Sequence, residues 1–220
     1  MMTLVLESST YVGSVALLDG DRVVGERTVA MRGREHEALM PAVAELIPVD
    51  TPARAQLARV VCGAGPGSFT SLRIAGSIAK GLAMSLGVPL IPISSLALLA
   101  ASAGSIRHGH YLCAIDAMRG EHYVQTFGIQ PDGIQALDEL RLVPSIALAD
   151  LALAEAAIVI GPDQTGAACV SPRADGAARL TKLIDDTHPA DLASWEPGYG
   201  RLAEAQVKWE TEQGRPLIAR

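Results

Sequence analysis

Aromatic residues are scarce in this chain, which has two phenylalanines, two tryptophans and four tyrosines among its 220 residues. The core must therefore be built mainly from Ala, Val, Leu and Ile, which supply most of an apolar fraction of 49%. Charged residues make up 19%, so the composition is globular and excludes an intrinsically disordered chain. A chain of this length forms one or two domains and buries a sufficient core without disulfide or metal support.

Cysteines are also few, and Cys62, Cys113 and Cys169 stand alone in the sequence. An odd number with no CxxC or Cys/His spacing argues against a disulfide framework and a zinc site, so no bound metal is expected. No apolar run reaches the roughly 18 residues of a membrane span. The first residues contain Glu7 and no basic cluster, so no signal peptide is predicted. We expect a cytoplasmic protein without a membrane partner.

Positive charge is limited and unevenly distributed. Residues 1–110 hold nine Lys and Arg against eight Asp and Glu, and residues 111–220 hold nine against sixteen, within a net charge of −6. A phosphate backbone is bound through clustered Lys and Arg side chains. This chain alone is therefore a poor candidate for holding a nucleic acid.

Strand alternation and turn residues predict two similar α/β halves, with a domain at 1–104 and a second at 105–220. Each half starts with a strand meander and continues with helices and a buried strand. The predicted strands are 3–7, 13–19, 22–29, 57–62, 88–93, 111–117, 122–129, 134–143 and 157–160. The predicted helices are 35–47, 70–86, 94–103, 145–153, 175–186 and 202–211.

Residues 60–76 hold the most distinctive segment, VVCGAGPGSFTSLRIAG, in which a strand enters a Gly-rich loop that opens a helix. Ser68 and Thr70 are residue types that cap helices, and free amides at a helix start can bind an anion. Three common motifs are not matched. A dinucleotide-binding GxGxxG motif would need glycine in place of Ser68, and a Walker A motif is absent from the sequence. A nucleophile elbow would need glycine two residues after its serine, and Ser68 is instead followed by Phe69 and Thr70. The loop is therefore either a ligand contact or a tight turn. Arg73 either binds an anion there or pairs with a carboxylate.

The same string, GPGSFTSLRIA, resembles the GPGSFTGLRIG signature of the TsaB (YeaZ) family. Further segments resemble those of the family in the same order, namely the opening LVLESST, REH and LMP around the first predicted helix, IDAMRGEHY and PGYGR. The likeness therefore spans residues 4–201. Glu7 stands where the family usually has Asp, and Ser71 and Ala75 replace glycines. The resemblance implies a two-lobed ASKHA (actin/Hsp70/sugar kinase-like) fold.

The resemblance also implies a function. The family is the non-catalytic, scaffolding and activating subunit that dimerises with a TsaD-type catalytic subunit to form threonylcarbamoyladenosine next to the tRNA anticodon. A TsaE-type ATPase is a further implied partner, ATP is used by the complex, and this chain alone needs no cofactor. It would contact tRNA only through the complex and form a homodimer when isolated.

Two sets of candidate site residues result, one from the free amides of the loop and one from this likeness. The first consists of possible anion or ligand contacts in the loop, Gly65, Pro66, Gly67, Ser68, Phe69, Thr70 and Arg73. The second is a vestigial phosphate hairpin formed by Glu7, Ser8, Ser9 and Thr10.

The helix at 70–86 has little polar surface, since Arg73 and Lys80 are its charged residues. A helix this apolar must be covered on more than one side. Its second cover is either the helix at 36–47, in a self-contained layer, or another subunit. The resemblance favours a partner interface at His36, Leu39, Met40, Val43, Gly76, Ala79, Lys80 and Ala83.

No catalytic residue is predicted. The two metal-binding histidines of the TsaD-type subunit align with Ser95 and Leu99, which are poor ligands. Asp116 and Glu121 either face each other as an acid/base pair or cap a turn beside Arg119. No nucleophile–base pair supports the glycoprotease label of the superfamily. The alternative function is an ASKHA-type nucleotide-dependent transferase or kinase acting on its own through the hairpin and the 63–70 loop.

Overall fold

The computed structural model describes residues 1–31, 37–48, 52–103, 108–131, 133–164, 168–200 and 213. Two five-stranded mixed sheets and their helices make up this part of the chain. The strands are β1 Met2–Glu7, β2 Val12–Asp19, β3 Arg22–Ala30, β4 Leu57–Gly63, β5 Leu90–Ile93, β6 Gly109–Asp116, β7 Glu121–Gln130, β8 Gly133–Ala136, β9 Arg141–Pro144 and β10 Ile158–Ile160. The helices are α1 Leu39–Leu46, α2 Pro52–Ala55, α3 Phe69–Leu86, α4 Ser95–Ser102, α5 Leu148–Ala154 and α6 Thr181–Asp186.

The first sheet has the strand order β3-β2-β1-β4-β5. Strands β1 to β3 form the predicted antiparallel meander, and β4 and β5 continue it in parallel with β1. Helix α3 connects the two parallel strands and ends where Gly87 takes a left-handed conformation with φ +65°. Glycine adopts this conformation without steric cost, which explains the helix stop predicted at that residue.

Side-chain alternation divides the first sheet into two buried faces. Leu4 and Leu6 of β1 face the core beneath α1 and α3, whereas Val5 faces the core shared with α4 and the second sheet. Because both faces are covered, β1 is an almost continuous apolar run, as expected for a central strand. Pro41 lies in the first turn of α1, so the predicted helix at 35–47 begins later than its apolar pattern suggests.

The second sheet has the order β10-β6-β7-β8, with β9 also paired to β7. The single strand predicted at 134–143 is wrong, because β8 pairs with residues 127–130 of β7 and β9 with residues 121–124. Between them the Asp138 carboxylate accepts a hydrogen bond from the Thr126 amide at 2.7 Å. The Leu137 amide still donates to the Thr126 carbonyl at 2.8 Å, and the chain then leaves the ladder at 138–140 and rejoins β7 through β9.

The segment after β10 returns to the first sheet. One helix predicted at 175–186 is in fact a 3₁₀ helix, Ala174–Arg179, followed by α6, with buried Leu180 between them. The Ala190 amide then donates to the Leu90 carbonyl at the edge of the first sheet. The sheets fall on either side of the predicted domain boundary, but residues 104–107 and the helix predicted at 202–211 lie outside the described residues. The two-domain division stays a prediction.

No helix in the described part of the chain is both long and apolar enough to cross a membrane.

Candidate functional site

A cleft of about 800 Å³ lies between the two sheets. Its first wall is the turn after β1 and the start of α3, and its second wall comes from the end of β6, β7 and the loop after β10. Ligands of α/β sheets bind at the carboxyl ends of parallel strands, which is where β1 and β4 deliver these loops. The loop and hairpin singled out from the sequence therefore meet at one cleft.

Gly67 is the point of closest approach between loop and hairpin. A Cβ built on Gly67 would lie 2.2 Å from the Ser9 carbonyl oxygen, so glycine is required there. The Ser68 amide donates to the same carbonyl at 2.7 Å. Gly67, Ser68, Phe69 and the neighbouring Thr70 line the cleft. The Ser68 amide, one of the backbone amides that could bind an anion, is therefore already hydrogen-bonded within the protein.

The remaining loop positions are more deeply set. Gly65 and Pro66 are buried, and the Gly65 amide donates to the Ser95 hydroxyl at 3.1 Å. Ser68 occupies the N-cap position of α3, but its side chain makes no capping bond, and its Oγ lies 3.0 Å from Ser71 Oγ. Thr70 lies inside the helix, so the expected cap by Thr70 is wrong.

Glu7 does not face the cleft. Its side chain is completely buried, accepts the Ser9 amide at 2.5 Å and accepts the Ser95 hydroxyl at 2.9 Å. Burial raises the pKa of the Glu7 carboxyl, and the hydrogen bonds from Ser9, Ser95 and the Ser8 amide oppose that rise. The carboxyl joins the end of β1 to the start of α4 and is not placed to hold a metal–nucleotide complex.

The other hairpin residues divide between structure and cleft. The Ser8 hydroxyl is buried and donates to the Ser71 carbonyl at 2.8 Å. Ser9 and Thr10 line the cleft, and the Thr10 hydroxyl also donates to the Val12 carbonyl at 3.2 Å. Two of the four predicted hairpin residues, Ser9 and Thr10, therefore reach the space in which a ligand would bind.

Arg73 stacks on aromatic rings and forms no ion pair with a carboxylate in the part of the chain that the structure describes. Its guanidinium carbon lies 4.6 Å from the centroid of the Phe69 ring and 5.9 Å from that of Tyr199. The two rings are themselves 4.5 Å apart at an interplanar angle of 44°. Arg73 thus fixes an aromatic pair at the cleft edge through cation–π contacts.

Residues 195–200, here called the strap, link both lobes beside the cleft. The Trp195 carbonyl accepts Lys80 Nζ at 2.9 Å, and the Gly198 amide donates to the Ala64 carbonyl at 2.7 Å. The Tyr199 carbonyl accepts the Tyr123 hydroxyl of the second sheet at 3.2 Å. The sequence showed this segment only as a family likeness, since no local pattern signals such a crossing.

Asp116 occupies the second wall and caps the following turn. Its carboxylate accepts the Met118 amide at 2.8 Å. Met118 and Arg119 both have positive φ, of 62° and 61°, a conformation uncommon outside glycine, and the capping bond helps to hold it. The structure therefore supports the turn-capping interpretation of Asp116. Asp116, Arg119 and Glu121 all line the cleft.

One nucleophile–base contact was missed from the sequence. Ser145 Oγ lies 3.0 Å from His122 Nδ1, and His122 Nε2 lies 3.7 Å from the Asp163 carboxylate. The second distance exceeds a hydrogen bond, so Asp163 does not orient the imidazole as the acid of a catalytic triad does. The serine and the histidine are 23 positions apart in the chain, so no local sequence pattern indicates their contact.

Most side chains of the predicted partner interface are buried within this chain. Leu39, Val43, Ala79 and Ala83 are at most 1% exposed and pack on the first sheet. Gly76 is covered by the strap, with Pro197 Cγ 2.9 Å from its ideal Cβ.

The surface left open on these helices is different. Met40 is 40% exposed and Met84 is 67% exposed. Among the described residues, nothing outside the backbone of α3 lies within 4 Å of a Cβ built on Gly81. Lys80 is half-buried, and His36 lies outside the described residues. The apolar pattern located the helices, and the interface residues that the resemblance favoured fall largely on their buried faces.

Metal-binding side chains do not converge within the described residues, where no group of three or more His, Cys, Asp or Glu is placed to hold an ion. Ser95 and Leu99, at the positions of the catalytic subunit's histidines, are completely buried in the core around α4.

Known proteins are similar to this chain in sequence and in fold. The family model described as TsaD, tRNA N6-adenosine threonylcarbamoyltransferase, matches residues 30–140. The tRNA threonylcarbamoyladenosine biosynthesis protein TsaB of Bacillus subtilis (strain 168) is 32% identical over 234 aligned positions. That alignment covers 97% of this chain and 100% of the relative. TsaB of Haemophilus influenzae is 34% identical over 121 positions, covering 54% of this chain and 51% of the relative.

A solved Pseudomonas aeruginosa structure, described as similar to peptidase YEAZ, superposes with a TM-score of 0.72 at 24% identity. The superposition covers 91% of this chain and 99% of the Pseudomonas chain. Fold and cleft thus define a two-lobed α/β protein of the ASKHA type. The near-complete match to the Bacillus relative identifies the family more narrowly: the chain belongs to the TsaB family.

Proposed function

We propose that this chain is the non-catalytic, scaffolding and activating subunit of the machinery that forms threonylcarbamoyladenosine in tRNA. Its family relatives carry the name of that biosynthesis. In this proposal a TsaD-type subunit transfers the threonylcarbamoyl group, a TsaE-type ATPase assists, and the complex uses ATP in the cytoplasm. The chain itself supplies no catalytic residue or cofactor and contacts tRNA only through the complex.

The open outer surface of α1 and α3 carries the proposal. Ser77, Gly81, Met84 and Ser85 of α3 are exposed and uncharged, and Met40 of α1 is exposed as well. The two charged residues of α3 are engaged within the chain, since the Arg73 guanidinium stacks on Phe69 and Lys80 donates to the strap. Uncharged helix surface with small residues allows another helix to approach closely, as protein interfaces require.

The proposed contact surface therefore consists of the exposed residues Met40, Ser77, Gly81, Met84 and Ser85. The same surface would form the homodimer of the isolated chain. Leu39, Val43, Ala79 and Ala83 support it from within by positioning the helices on the sheet.

The test is association with a TsaD-type subunit, measured by light scattering for the wild type and for Gly81→Arg/Met84→Arg. A charged pair of long side chains in the contact surface should abolish the heterodimer without unfolding the chain, since both positions are open. Asp150→Ala, on α5 beside the second sheet, is the surface control. Undiminished association of the double variant would remove α3 from the interface.

A further inference from the structure

The cleft gathers aromatic rings in a chain that has few of them. Of its eight aromatic residues, four line this single cleft: Tyr11, Phe69, Tyr123 and Tyr199. Aromatic faces bind planar groups by stacking and cations through the ring quadrupole. The cleft is therefore suited to a flat or cationic group.

The charged side chains that line the cleft favour a cationic ligand over a neutral flat one. Asp116, Glu121 and Asp163 line the cleft, whereas within the described residues the cations are Arg119 in the lining and Arg73 at the cleft edge. The Asp163 side chain is 54% exposed, so its carboxylate remains accessible. An excess of carboxylates opposes phosphate groups and attracts positive ones.

The molecule already displays the required contact on the same rings. The Arg73 guanidinium lies over Phe69 and near Tyr199, at 4.6 and 5.9 Å. Both rings also line the cleft. A second guanidinium entering the cleft would meet these rings together with the carboxylates of the opposite wall.

We propose that the cleft between the two sheets binds an arginine-bearing peptide segment of a partner protein. The guanidinium lies between Asp116 and Asp163 against the aromatic rings, and the peptide backbone meets the hydroxyls of Ser68 and Thr70. A cleft of about 800 Å³ accommodates a few residues. The cleft does not include the contact surface formed by Met40, Ser77, Gly81, Met84 and Ser85, so either contact can exist without the other.

The test is an NMR titration of the ¹⁵N-labelled full chain with acetyl-Gly-Arg-Gly-amide, using the citrulline peptide as the neutral isostere. The arginine peptide should shift amides around the cleft with a Kd of about 1–10 mM. Asp116→Asn/Asp163→Asn should weaken binding roughly three- to tenfold, the scale of two partly exposed ion pairs. Asp150→Asn, on α5 outside the cleft, should leave the affinity unchanged.

Three results would overturn the proposal. One is equal affinity for the citrulline peptide, which would remove the role of charge. Another is the absence of any shift at about 20 mM peptide. The third is tighter binding of Mg-ADP at the same amides, which would assign the cleft to a nucleotide. Because the isolated chain is titrated, none of these results bears on association with the catalytic subunit.

Discussion

Replacing Glu7 by glutamine should change how stability depends on pH. Glutamine keeps an oxygen to accept the Ser9 amide and removes the charge from a completely buried site. Because burial raises the pKa of Glu7 in the folded protein, the folded state holds its proton above pH 4.5, where the unfolded chain has lost it. The contribution of Glu7 to the free energy of unfolding therefore falls as pH rises through this window.

The slope follows from proton linkage. A difference of one bound proton changes the unfolding free energy by about 1.4 kcal/mol per pH unit. The advantage of Glu7→Gln over the wild type should grow at up to this rate above pH 4.5 and level off at the folded-state pKa. Below pH 4.5 the contribution of Glu7 to the wild type's stability is fully present, so the pH-dependent difference vanishes.

Urea unfolding followed by circular dichroism at a series of pH values measures this difference. Glu139→Gln, at an exposed position, controls for the loss of one surface carboxylate. Parallel pH profiles for wild type and Glu7→Gln would refute the reasoning. A wild type that gains stability over the variant with rising pH would refute it as well.

Four smaller predictions concern other positions. Gly63→Ala should lower stability by about 1–3 kcal/mol in thermal unfolding, since its Cβ would lie 1.8 Å from a buried carboxylate oxygen, whereas Gly81→Ala should not destabilise. The hydrogen bond from Arg141 lowers the pKa of Glu155 in the folded protein. Arg141→Met should therefore be less stable than the wild type at neutral pH, and this difference should shrink as pH falls through the folded-state pKa of Glu155. Urea unfolding at a series of pH values measures the difference. Ser145→Ala should retain full tRNA modification in a reconstituted complex.

The regular elements were predictable because their signals are local. Alternation and the Gly20–Asp21 turn located the meander, and Gly87 located the end of α3. The family likeness located the loop that reaches the cleft. Strand 134–143 was wrong because its interruption depends on Asp138 bonding to Thr126, a contact between strands that no local pattern encodes.

The details of the site were not predictable for the same reason. Glu7 points inward because Ser95, 88 residues away, supplies a hydroxyl beside it. Arg73 stacks on Tyr199, which returns from the far end of the chain, and no local pattern encodes that contact. Helical periodicity identified an apolar α3 but could not determine which side the sheet covers and which stays open.

The central claim, that this chain activates a separate catalytic subunit, is tested most directly by reconstitution. Threonylcarbamoyladenosine is quantified in tRNA by nucleoside mass spectrometry after incubation with the TsaD-type subunit, the TsaE-type ATPase, the threonylcarbamoyl donor and ATP, with or without this chain. We predict modification only when the chain is present, and its loss with Gly81→Arg/Met84→Arg. Equal modification without the chain, or modification by the chain without the catalytic subunit, would contradict the account.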